Sequence, residues 1–106
     1  MDLKEVQELT DKWVSQFKEG YFPPMSLVVR LAEEVGELAR EVNHRFGEKK
    51  KKPEELSGSI EEELGDILFI IACFANSLGY DLSEIFKATM DKYYKRDLNR
   101  WTKKEE

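Results

Sequence analysis

The chain has one cysteine, Cys73, and one histidine, His44. A lone thiol excludes an internal disulfide and a thiolate-built metal site. A lone histidine fits poorly with a di-iron bundle, which draws on Glu-x-x-His segments. Basic residues are in deficit, with 17 Lys and Arg against 22 Asp and Glu and a net charge of -5. Without a basic excess to displace counterions, a nucleic-acid polymer is not the expected partner. Long apolar runs are missing too: the longest, Ile67 to Ala75, is far too short to span a bilayer. Met1 to Gly20 is too charged for a signal peptide. No membrane partner and a cytoplasmic location are therefore expected. Sustained strand-like alternation is absent as well.

What remains is helical. Three prolines and six glycines divide the 106 residues into four helical segments within one domain, residues 1–106. The first is expected from about Leu3 to Lys18, with Val6, Leu9, Trp13 and Phe17 at helical spacing. The second should run from about Met25 to Phe46, turning Leu27, Val28, Leu31, Val35, Leu38 and Val42 inward. A polar, flexible connector follows at about 47–58; its Lys49–Lys52 run reads as solvated, or as a lid over phosphates. Ser59 should open the third helix, with Glu62 completing a capping box, and Gly79 should end it. The fourth starts at Asp81 or Ser83 and reaches about Arg100. The expected fold is an all-α four-helix bundle. The stretch "ILFIIACFA" is apolar on every side of its helix, and such a helix is enclosed by protein. A second subunit is expected to cover one side of it.

Two acids stand where leucine belongs. Leu27, Leu31, Glu34 and Leu38 follow a 4-3-4 inward stripe in the second helix, and Ile60, Glu63, Ile67 and Ile70 do the same in the third. Glu37 and Asp66 lie three residues on, at the stripe's edge. If the helices pack antiparallel, four carboxylates converge. Buried together they would repel and take up protons, unless a hard cation such as Mg²⁺ or Mn²⁺ shares their oxygens. The segments "EEVGEL" and "EELGDI" also repeat an internal glycine, Gly36 and Gly65, each costing about 1 kcal/mol in a helix interior. A missing side chain would admit a second backbone or a ligand beside the acids. Glu61 and Glu62 suit a first helical turn, and Glu41 and His44 read as surface residues. Glu33, one step off the stripe, reads as a surface acid or an outer base.

"LAEEVGELAREV" followed by "IEEELGDILFII" resembles the signature of MazG-like nucleotide pyrophosphohydrolases, Glu-Glu-x-x-Glu, a spacer, then Glu-x-x-Asp. The resemblance covers almost the whole chain and implies the all-α NTP pyrophosphatase fold, short single-domain type. It further implies Mg²⁺-dependent hydrolysis of a nucleoside triphosphate to monophosphate and pyrophosphate. The implied metal ligands are Glu34, Glu37, Glu63 and Asp66, with Glu33 or Glu37 orienting the water. A homodimer or homotetramer with sites near subunit boundaries is also implied. Lys92, Arg96 and Asn99 share a face of the fourth helix by 4-3 spacing and are candidates for the outer phosphates. Trp13 could stack on a base, or with Phe17 belong to the core. The alternative is a non-catalytic nucleotide-binding or protein-interaction module of the same fold.

Overall fold

A computed structural model of the chain describes residues 1–47 and 58–105. It contains four helices and, among the described residues, no strand: α1 (Leu3–Val14), α2 (Pro24–Phe46), α3 (Ile60–Leu78) and α4 (Leu82–Asp97). Most of the boundaries have local causes. The Asp2 carboxylate accepts from the Glu5 N–H at 2.8 Å while Glu5 accepts from the Asp2 N–H, a reciprocal box that starts α1. α1 ends at Val14, short of the expected Lys18. Turns follow and close at Gly20, whose φ of 63° lies where only glycine is unstrained. Pro24 opens α2, at the position where its missing N–H costs nothing. Ser59 Oγ accepts from the Glu62 N–H at 3.1 Å, the forward half of the expected box. Gly79, with φ 71°, ends α3. Asp81 then caps α4 through the Ser83 and Glu84 N–H groups, and regular helix stops at Asp97, with turn residues to Arg100. The 48–57 part of the connector, including Lys49–Lys52, lies outside the described residues.

α3 is the central element. α2 packs along it, α1 packs on it, and α4 lies mainly against α1. Leu27 shares a cavity with Ile70 and Cys73, Glu34 meets Glu63, and Glu41 lies by Gly58. That order makes α2 and α3 antiparallel. The core is small: Leu27, Ile70, Ala72, Cys73 and Ala75. Because α2 packs chiefly against α3 among the described residues, only its 4-3-4-3 stripe turns inward. Val28, Val35 and Val42, expected inside, are exposed; each sits one residue, about 100° of rotation, past a stripe position. On α3, Leu68, Phe69 and Ile71 remain 41%, 38% and 37% exposed. The chain turns by 106° between α3 and α4, which leaves Ile85, Phe86, Met90, Tyr93, Tyr94 and Leu98 exposed. The radius of gyration is 17.6 Å, against about 13 Å for a compact domain of this size. Among the described residues no single helix is long and apolar enough to cross a membrane.

Candidate metal centre

The antiparallel register brings the midpoint of α2 to the first turns of α3. Carboxylate oxygens of Glu34, Glu63 and Asp66 lie within 4.8 Å of one another. Glu63 is the deepest, 8% exposed, and its Oε2 is shielded from solvent with no hydrogen-bond partner among the described residues. The hydrogen bond it shares with Glu34 pushes its carboxyl up to about 7, helped by burial and by the charges of Glu34, Asp66 and Glu37. Each cause favours the protonated form. A buried acceptor left unpaired beside two further carboxylates is what a cation-binding donor set looks like before the cation is added. The residues fit an oxygen-liganded divalent ion.

The other expected acids stand apart from this trio. Glu37, half-exposed, forms an ion pair with Arg40 one turn on and acts on Glu63 through its charge. Glu33 is exposed. Gly36 and Gly65 overturn one expectation, because among the described residues a Cβ added to either would meet nothing within 4 Å. Close backbone packing within the chain therefore does not explain them, and the room beside the acids is open. Two residues read as surface are not. Glu41 is buried, 8% exposed, and His44 is half-buried with both ring nitrogens shielded. Glu41 extends the Leu27–Leu31–Glu34–Leu38 stripe by the next step of three, so continuing that spacing would have found it. His44 follows one turn later, on the same side.

Further along the same helix pair lies a cavity of about 300 Å³. Trp13, Phe17, Tyr21, Leu27, Phe69 and Ile70 contribute to its walls, and Arg30 and Cys73 also line it. Arg30 is four residues before Glu34 and Phe69 three after Asp66, so the cavity begins about one helical turn, 5 Å, from the acids. Trp13 and Phe17 meet edge to face at 5.1 Å and both are exposed, so they form a wall rather than core. Burial pushes the Cys73 thiol up, against the opposing charge of Arg30.

A polar network that local sequence did not reveal holds the cavity's outer side. The Tyr21 hydroxyl donates to Asp11 at 2.7 Å and accepts from Asn76 Nδ2 at 3.0 Å. Gln7 Nε2 donates to Asn76 Oδ1 and to the Tyr80 carbonyl, and Gln7 Oε1 accepts from the Leu82 N–H. Burial and the bond to Asp11 push Tyr21 up to about 12.

The basic residues of α4 lie elsewhere in the single chain. Arg96 donates to the Asp97 carboxylate at 2.9 Å, and Lys92 lies over the Tyr93 ring. Asn99 sits in the turn after the helix and is exposed.

Fold and acid cluster together define a class: an all-α protein whose two antiparallel central helices converge carboxylates on a cation-sized gap, beside an aromatic cavity. Within that class the chain belongs to the MazG family, since the MazG nucleotide pyrophosphohydrolase domain matches residues 22–101. It is 54% identical to the uncharacterized protein YpjD of Bacillus subtilis strain 168 over 104 residues, 98% of this chain and 94% of that one. The uncharacterized protein YvdC of the same organism is 35% identical over 96 residues, covering 81% and 91%. The crystal structure of Bacillus subtilis YpjD, a candidate pyrophosphatase, superposes with a TM-score of 0.82 at 50% identity, over 92% of this chain and 97% of that one. A Bacillus-conserved MazG protein, described as a nucleotide pyrophosphohydrolase, gives 0.78 at 48%, covering 92% and 94%.

Proposed function

We propose that the protein hydrolyses a nucleoside triphosphate to the monophosphate and pyrophosphate, acting as a single domain over residues 1–106 and using Mg²⁺, for which Mn²⁺ can substitute. The observation that carries this reading is Glu63: buried, with an unpartnered oxygen, next to Glu34 and Asp66. Glu34, Glu63 and Asp66 would hold the cation, with Glu37, now paired with Arg40, as the fourth ligand. Held there, a divalent cation would supply positive charge to offset the carboxylates and the phosphates and would lower the pKa of a water.

The chain's own groups do the rest. Glu33 or Glu37, at the open edge of the cluster, orients the attacking water towards the α-phosphorus. The space beside Gly36 and Gly65 admits the phosphates. The cavity one turn away takes the base, with Trp13 as its stacking face. Lys92, Arg96 and Asn99 hold the outer phosphates. Because α4 lies against α1 rather than along α2, we infer that these three come from a neighbouring copy in a homodimer or homotetramer. The exposed apolar side of α3 supports that assembly.

The test is pyrophosphate release from a panel of NTPs and dNTPs, with and without Mg²⁺. Stoichiometric monophosphate and pyrophosphate, formed only with the metal, is the expected result. Tight nucleotide binding with no turnover under any metal would overturn the enzyme in favour of a binding module.

A further inference from the structure

Glu41 belongs to no part of the site proposed above, yet it is buried as deeply as Glu63, each 8% exposed. A carboxylate removed from water requires a compensating environment. Glu41 lies on the inward stripe of α2 seven residues beyond Glu34, about 10 Å along the helix. Opposite it the chain enters α3. A Cβ built on Gly58 would come within 3.2 Å of Glu41 Oε1 and 3.8 Å of Glu63 Oε1. Gly58 therefore crosses over both carboxylates, with a φ of 106° that favours glycine. The next residue, Ser59, caps α3, and the Glu63 N–H bonds to the Ser59 carbonyl at 3.1 Å. Any shift of this entry segment moves Glu63 directly. The start of α3 is also the positive end of its dipole, where a carboxylate is favourable.

We propose that Glu41 is a positioning residue. Its carboxylate seats the Gly58–Ser59 entry of α3 and so sets the depth and rotation at which Glu63 meets Glu34 and Asp66 to bind a divalent cation. This rests on the metal reading above. It differs from a ligand's role, because the oxygens that lie within 4.8 Å of one another come from Glu34, Glu63 and Asp66, not Glu41. Residues one step behind metal ligands, when changed, typically cost about 10–100-fold in metal affinity.

The test uses the full chain and Mn²⁺ alone, titrated by calorimetry at a temperature where circular dichroism shows every variant folded, with turnover measured alongside. Glu41→Ala should weaken Mn²⁺ by about tenfold or more and lower kcat with little change in nucleotide KM. Glu41→Gln, which keeps the shape, should recover part of the loss. Gly58→Ala should weaken Mn²⁺ too, because its Cβ would press on the Glu41 carboxylate and strain the backbone at a φ of 106°. The double variant should lose less than the product of the two single losses, because both disturb one contact. Val42→Ala, at the exposed neighbouring position, should leave Mn²⁺ affinity and turnover unchanged. Mn²⁺ affinity for Glu41→Ala within about twofold of wild type, or losses in the two single variants that simply multiply, would overturn the role of Glu41. If Glu41→Ala does not fold, Glu41→Gln and Gly58→Ala decide on the same criteria. A wild-type chain that binds no Mn²⁺ would overturn the metal reading as well, a distinguishable outcome.

Discussion

Glu63 couples the stability of the metal-free protein to pH. Its carboxyl titrates at 4.5 in the reference state and at about 7 in the folded chain. Between those values the folded chain keeps a proton that the unfolded chain has released, so this contribution is fully present below the lower value and is lost as pH climbs through the upper one. The melting temperature of metal-free protein should therefore fall between about pH 5 and about pH 8. Glu63→Gln, which imitates the protonated acid, should flatten that slope and raise the melting point at the alkaline end while abolishing turnover. Thermal scans across pH, paired with pyrophosphate assays, check both halves. A slope that Glu63→Gln leaves unchanged would mean that Glu63 does not hold its proton in the folded chain. Glu61→Gln, at an exposed first-turn acid, should keep most activity. Tyr21, raised to about 12, stays protonated throughout this range and adds nothing to the slope.

Among the elements, α2 and α3 each carry a glycine that their own packing does not require. Gly36→Ala and Gly65→Ala meet open space and lie in helix interiors, so each should stabilise the chain by about 0.5–1 kcal/mol. Differential scanning calorimetry should record a higher melting point for both. If the space serves the phosphates, the same variants should raise nucleotide KM. Unchanged kinetics would return both glycines to the class of tolerated helix defects. Most helix ends were legible because their causes are local: Pro24, Ser59, Gly79 and Asp81 act within a few residues of themselves, whereas α1 and α4 stop three to four residues before the expected Lys18 and Arg100. Glu34 and Glu63 were legible for a related reason, as charges inside a periodic apolar stripe. Glu41 lies on the same stripe one step further on, so the same spacing reaches it, and in the fold Gly58 lies beside it.

The whole molecule is larger in radius than its length needs, and among the described residues much of α3 and nearly every apolar residue of α4 is exposed. Apolar burial is worth about 25 cal/mol per Å², so several hundred Å² of such surface favours association. Light scattering at micromolar concentration should show a dimer or larger. Leu68→Asp or Ile71→Asp, exposed on α3, should dissociate it and reduce turnover together. Cys73 is unsuited to this test because it is buried within its own chain, where an aspartate would disturb the core. A fully active wild-type monomer would defeat the proposal. Mg²⁺ or Mn²⁺ without nucleotide should also raise the melting temperature, since an ion held only by the folded chain stabilises it by mass action. An unchanged curve at millimolar metal would count against a preformed site.

Sequence by itself determined the number of helices, most of their ends and which acids interrupt an apolar face, because capping chemistry and the 3.6-residue period act over a few residues. Tertiary structure decided the rest. The cavity joins Trp13, Leu27 and Ile70, which no local period relates. The course of α4 is set by a 106° turn and by bonds such as that from the Leu82 N–H to Gln7 Oε1, 75 residues apart. Whether Trp13 or Val28 is inside depends on how many neighbours each helix finds. That number is a property of the assembled packing, and no single segment carries it.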